Sequence, residues 1–128
     1  MIIGLGSDLI DIRRIEKTLE RFGPRFVDRL FTDVEKAKSE GRKNRAASYA
    51  KRFAAKEAFS KAIGTGIHAP FTWKSIGLGR DPKGKPLVVP SPEMAKHLKK
   101  LGVTGAHVSL TDDAGVAVAF VVLEGKDQ

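Results

Sequence analysis

The segment Arg52-Phe53-Ala54-Ala55-Lys56-Glu57-Ala58-Phe59-Ser60-Lys61-Ala62-Ile63-Gly64-Thr65-Gly66 sets the reading of the chain. It spells an alanine-rich helix with one acid among three bases, closed by a Gly-Thr-Gly turn. Alanine is the strongest helix former, and Gly64 suits the left-handed position just past a helix end. Phe53, Glu57 and Lys61 recur every four residues, which places them along one face. A carboxylate mid-stripe with an amine one turn further can hold a metal and a phosphate. The same spacing also describes an ordinary ion pair on a solvated helix, and the flanking sequence has to decide between them.

Working outward toward the N-terminus, Glu40 to Arg45 is a polar connector into this helix, which spans about Arg45 to Ile63. Thr32-Asp33-Val34-Glu35 is a capping box, so a helix starts at Asp33. A short helix over Pro24 to Leu30 precedes it. Before that, Ile12, Ile15, Leu19 and Phe22 mark one face of a helix that stops at Gly23-Pro24, with Arg13, Arg14, Lys17 and Arg21 on the other face and Arg25 just beyond. Ile2 to Asp8 alternates as a strand, with Ile3 and Leu5 on one side and Gly4, Gly6 and Asp8 on the other. Glycine inside a strand marks close approach by a ligand or another backbone. Asp8 closes this strand, where either it or Asp11 can cap the following helix.

Beyond Gly66 the pattern turns to strands. Trp73 to Leu78 and Pro86 to Val89 alternate around Asp81-Pro82-Lys83-Gly84-Lys85, a hairpin turn. Ser91-Pro92 opens a helix that Gly102 ends, and Ala106 to Thr111 and Val116 to Leu123 pair around Asp112 to Gly115. The order predicts an α+β fold with a mostly antiparallel sheet. We read one domain over 1–124 and a frayed tail over 125–128.

The composition bounds what such a domain does. Of 128 residues, 41% are hydrophobic and none is cysteine, which excludes disulfides and thiolate metal sites and suits a reducing cytosol. The N-terminus lacks the basic start of a signal peptide, and no apolar run reaches the roughly 18 residues of a membrane helix. A soluble cytoplasmic protein is expected. The net charge of +8 favours a polyanionic partner and says nothing of fold.

Asp8 at a strand end and Glu57 on a small-residue helix can share a hard divalent cation, because Mg²⁺ is usually held by one or two carboxylates with waters and substrate phosphate. The amides of Gly64, Thr65 and Gly66 can cradle a phosphate or simply cap the helix. Lys83 and Lys85 can clamp phosphate from their turn, or be basic by default. Among the histidines, His97 lies among lysines, His68 has no evident partner, and His107 opens a strand beside Ser109. No catalytic triad or nucleophile elbow is present.

In combination these blocks resemble a known family. Gly4-Leu5-Gly6-Ser7-Asp8, Phe53 through Gly66, Asp81-Pro82-Lys83-Gly84-Lys85-Pro86 and His107-Val108-Ser109-Leu110 are similar, in the same order, to the bacterial-type 4′-phosphopantetheinyl transferases, the holo-[acyl-carrier-protein] synthase family. The resemblance spans residues 1 to about 124 and is most specific over Phe53 to Gly66. It implies that family's fold and a compact homotrimer with the coenzyme bound between subunits. It also implies Mg²⁺-dependent transfer of the phosphopantetheine arm of coenzyme A to a serine of acyl carrier protein, releasing adenosine 3′,5′-bisphosphate, in support of fatty acid biosynthesis. By resemblance Asp8 and Glu57 match metal ligands and Asp8, Glu57 and Lys61 the catalytic set. Lys61, Gly64, Thr65, Gly66, Pro86, His107 and Ser109 match the coenzyme surroundings, and Lys83 and Lys85, read from their turn as a phosphate clamp, are counted with them as coenzyme-binding.

Either Glu57 or a metal-bound water serves as the base. Because carrier proteins are acidic, Arg13, Arg14, Arg21 and Arg25, joined by Arg45, become a docking stripe. Asp112 departs from the His or Ser common in the family, so no coenzyme contact is assigned to it. Two rivals use the same residues. A small basic nucleic-acid-binding domain would want exposed aromatics or a reading motif, which the sequence lacks. In a Mg²⁺-dependent phosphohydrolase, water would replace serine as nucleophile.

Overall fold

In the computed structural model, which describes residues 1–126, the first strand β1 (Ile2–Asp11) leads into three helices, α1 (Ile12–Phe22), α2 (Pro24–Leu30) and α3 (Asp33–Glu40). The long helix α4 (Arg45–Ala62) follows, then the strands β2 (Ile76–Arg80) and β3 (Pro86–Pro90), the helix α5 (Pro92–Lys100), and the strands β4 (Val103–Asp113) and β5 (Val116–Gly125). The α+β class and its antiparallel pairing are as expected, but the strands divide between two sheets. One is three-stranded in the order β1-β5-β4, and β2 with β3 forms the other.

Side chains alternate along β5 so that Ala117, Ala119, Val121 and Leu123 are fully buried, facing the helical layer. The helix α4 lies on that face against β1 and β5. Gly4 and Gly6 make the approach possible: an added Cβ would stand 2.0 Å from the Ala62 carbonyl oxygen at Gly4 and 1.9 Å from that of Ala58 at Gly6. The close approach read from the glycines is therefore made by a helix backbone. Phe31, Tyr49, Phe59, Ile76 and Met94 fill the core beneath. Each such side chain contributes about 1.5–3 kcal/mol by its burial.

The strand β1 runs three residues past Asp8 because β5 continues opposite it, pairing Asp11 with Val116. Capping of α1 accordingly falls to Asp11, whose carboxylate accepts from the Arg13 amide at 2.9 Å. The Arg13 side chain bonds the same carboxylate and pulls its pKa down to about 2. Asp8 is thereby free of any capping role. The Thr32–Glu35 capping box forms as predicted. Of the tail read at 125–128, Gly125 ends β5 and donates to the Met1 carbonyl, and the Lys126 amide donates to that of Gly102. Residues 127 and 128 lie outside the described residues.

Candidate active site

Along β1, Gly6, Asp8 and Ile10 share the face turned to α4, and Glu57 immediately precedes Ala58, the residue against which Gly6 packs. This contact brings Asp8 and Glu57 together although 49 positions separate them in sequence. Burial raises the Glu57 carboxyl above the usual range, and the adjacent Asp8 charge raises it further, while Lys61 and Arg14 pull the other way. Lys61 reaches across from the next turn of α4. Its Nζ lies 3.2 Å from Asp8 Oδ1 and 3.1 Å from the Ser7 carbonyl oxygen. Asp8 and Lys61 open onto a depression of about 350 Å³, lined also by Ser7, Leu9, Val118 and Phe120.

A pair of carboxylates held this close, one of them resisting ionisation, has the oxygen donors and negative charge of a hard-cation site. Among the described residues no third Asp, Glu, His or Cys joins them. A hexacoordinate ion at this place would thus keep most positions for water or substrate. The donor set fits Mg²⁺ better than zinc, which takes nitrogen and sulfur ligands and tighter cages.

The other predicted residues are placed elsewhere in the same chain. Gly64 and Gly66 adopt φ of 86° and 62°, and the turn closes α4: the Gly64 amide donates to Lys61, and the Thr65 and Gly66 amides both donate to the Ser60 carbonyl. An amide cradle is therefore not what this turn offers, since helix closure occupies all three N–H groups. Asp81 organises the hairpin turn by accepting from the Lys83 and Lys85 amides at 2.8 and 2.9 Å, leaving both lysines in solvent on the second sheet before Pro86. His107 and Ser109 lie on the outer face of β4, in register with Val122 and Phe120, and His107 Nε2 is 2.7 Å from Glu124 Oε1. These groups do not meet Asp8 and Glu57 within one chain.

Of the basic residues, Arg13 is tied to Asp11, and Arg45 to Glu40 at 2.8 Å over the Tyr49 ring. Arg14 stands near enough to Glu57 to act on its charge, so the stripe on α1 begins at the site itself. Asp112 pairs with Lys51 at 3.1 Å, a cation supplied by α4.

The family model for the 4′-phosphopantetheinyl transferase superfamily matches residues 4–121. The chain belongs to this superfamily. It is 57% identical to holo-[acyl-carrier-protein] synthase of Brucella ovis, over 97% of this chain and 96% of that protein. The fold of this superfamily member is also similar to two crystal structures. One is holo-[acyl-carrier-protein] synthase from Neisseria meningitidis, with a TM-score of 0.91, 38% identity and coverage of 97% and 99% of the two chains. The other is the Helicobacter pylori synthase in complex with coenzyme A, with a TM-score of 0.84, 32% identity and coverage of 94% and 99%. The nucleic-acid reading finds no support among these relatives.

Sequence reasoning passed over two features of this transferase-superfamily chain. Arg52 is buried, donates to Ser48 Oγ at 2.8 Å, and leaves its Nε without a hydrogen-bond partner. Burial lowers its pKa, and Arg80 and Arg42 stand near enough to add to that. The second is an aromatic groove of about 480 Å³ between α1, α2 and α4, where Phe22, Phe26, Phe53 and Trp73 meet Arg25 and Arg29. A helix-spaced aromatic pattern reads as core from sequence, and only the packing shows that these rings line a surface.

Proposed function

We propose that this protein transfers the 4′-phosphopantetheine arm of coenzyme A to a serine of apo-acyl carrier protein, as a cytoplasmic, Mg²⁺-dependent homotrimer serving fatty acid biosynthesis. The observation that carries the reading is the meeting of Asp8, Glu57 and Lys61 at the β1–α4 contact. The carrier serine oxygen attacks the β-phosphorus of the coenzyme pyrophosphate. The bond to the adenosine 3′,5′-bisphosphate leaving group then breaks, and the serine proton is released. Asp8 and Glu57 would hold Mg²⁺, which when bound polarises phosphoryl oxygens and offsets charge on the leaving phosphate. Lys61 adds a fixed positive charge beside them, the kind of preorganised electrostatics that usually supplies the largest catalytic effect. The serine proton would pass to Glu57 or to a water held with the ion, both within reach of the reacting oxygen in this reading.

The outer face of the larger sheet supports the oligomer. Leu5 and Leu9 are 65% exposed and Phe120 51%, an apolar surface continuous with the Asp8 depression. Covering it with further copies of the chain would bury these side chains. It would also bring His107, Ser109 and the Lys83–Pro86 turn of one protomer toward Asp8 and Glu57 of another.

The chemistry is tested by incubating the protein with coenzyme A and Mg²⁺ and following adenosine 3′,5′-bisphosphate. Release that requires apo-carrier is expected. Equal release without carrier would identify a phosphohydrolase instead.

Docking is tested separately. The charge reversals Arg14→Glu and Arg21→Glu together should raise KM for carrier by about tenfold or more, since rim charges steer association. KM for coenzyme A should change less than twofold, and equal changes in the two constants would argue against the stripe.

A further inference from the structure

Lys56 and Glu35 form an ion pair in which both side chains are completely buried, with Lys56 Nζ 2.9 Å from Glu35 Oε1. The ammonium also donates to the carbonyls of Trp73 at 2.7 Å and Ile76 at 2.6 Å, giving its three N–H groups three acceptors. Glu35 in turn accepts from the Thr32 amide at 3.0 Å and the Leu78 amide at 3.2 Å. One pair therefore ties together the start of α3, the middle of α4 and the segment entering β2. Burying such a pair is a poor route to stability, because well-packed apolar replacements are often neutral or better, whereas removing one partner alone is strongly destabilising. What the pair holds in place is then the more informative question. The bonds of Lys56 go to Glu35, Trp73 and Ile76, and none goes to Asp8 or Glu57, although Glu57 is its neighbour in sequence.

The Trp73 ring stacks on Phe53, with centroids 5.2 Å apart and planes 23° from parallel, and meets Phe71 edge-on at 5.9 Å. It is half-buried and forms one wall of the aromatic groove that carries Arg25 and Arg29. We propose that Lys56 and Glu35 are positioning residues for carrier recognition, fixing the backbone at Trp73 so that its indole, held against Phe53, shapes the groove into which the carrier docks. This rests on the reading of the protein as a carrier-modifying transferase. The groove suits a partner surface with apolar side chains for the aromatic walls and carboxylates for Arg25 and Arg29.

Trp73 is the only tryptophan, so tryptophan fluorescence excited at the red edge, where tyrosine does not absorb, reports on this wall alone. In the double variant Lys56→Met with Glu35→Gln, the expected result is a red-shifted Trp73 emission and a KM for carrier raised about five- to tenfold, with kcat and the KM for coenzyme A within about twofold of native. Trp73→Ala removes the wall without touching the buried pair and should raise the carrier KM by a similar factor.

A native carrier KM in Trp73→Ala overturns the proposal whether or not the double variant folds. A double variant with native emission and native carrier KM overturns it too, as does one whose kcat falls for every substrate with no change in carrier KM. Failure of the native protein to modify any carrier would remove the transferase reading itself, and this proposal with it. Native turnover with unchanged KM in both variants would remove the positioning role alone.

Discussion

Glu57→Gln is expected to abolish turnover, lowering kcat by about 10²–10⁴-fold, the range associated with losing a positioned proton acceptor. Its fold should remain intact. Burial and the neighbouring Asp8 charge raise the Glu57 pKa above the ordinary carboxylate value, so the folded state favours its protonated form. For an acid shifted in this direction, the stabilising contribution is complete below the unfolded pKa and is lost as pH rises through the folded one. Above that window the ionised Glu57 is a burden on the fold, which a neutral glutamine does not carry. In metal-free protein at pH 7, the variant should therefore melt at or above the native Tm while losing activity. Thermal unfolding and steady-state rates on the same preparation check both parts. Near-native turnover would remove Glu57 from the chemistry, and a large fall in Tm would make the lost activity uninterpretable as a catalytic effect.

Gly6→Ala should have the largest effect on the fold. Its Cβ would lie 1.9 Å from the Ala58 carbonyl oxygen and 2.9 Å from the Ala62 amide nitrogen, both backbone atoms of α4. No side-chain rotation relieves this, so the helix must lift from β1. Overpacking of this severity costs at least about 3 kcal/mol, a fall in Tm on the order of 10 °C for a domain of this size. Activity should fall as well, because Glu57 sits beside Ala58 and the lift separates it from Asp8. Gly41→Ala is the matched control: at φ of −83° with nothing within 4 Å of its added methyl, it should leave both Tm and activity unchanged. Equal behaviour of the two variants would show that the β1–α4 contact does not assemble the site.

The glycines of β1 and the helix after Asn44 were legible in the sequence because each carries its reason locally. Alternating glycines mark an approaching backbone, and an alanine-rich stretch with a glycine stop forms a helix wherever it is placed. The end of β1 was not legible. Strand length is set by the partner, and Val116 lies 105 positions from Asp11.

The pairing of Asp8 with Glu57 was one option the residue types offered, and family resemblance raised it above an ordinary ion pair, since periodicity gives the face of each residue and not the docking of strand on helix. Lys56 shows the opposite difficulty. One position from Glu57 on a helix with several charges it reads as a solvated lysine, yet it is fully buried because Glu35 and two carbonyls from distant segments surround its ammonium. The Gly64–Gly66 turn was legible as a helix stop, and its amides prove to serve that stop alone.

The placing of His107 and Ser109 away from Asp8 has a physical reading. Across the register Ser7–Phe120–Ser109, β5 stands between the two outer strands, so one chain keeps the halves of the predicted site apart. An oligomer that closes over Phe120 would join them.

The most direct measurement is the intact mass of an apo-acyl carrier protein after incubation with this protein, coenzyme A and Mg²⁺. The account predicts that the carrier gains the mass of one phosphopantetheine arm, and that Asp8→Asn or Glu57→Gln prevents the gain. An unchanged carrier mass with the native protein, or a full gain with either variant, would contradict it.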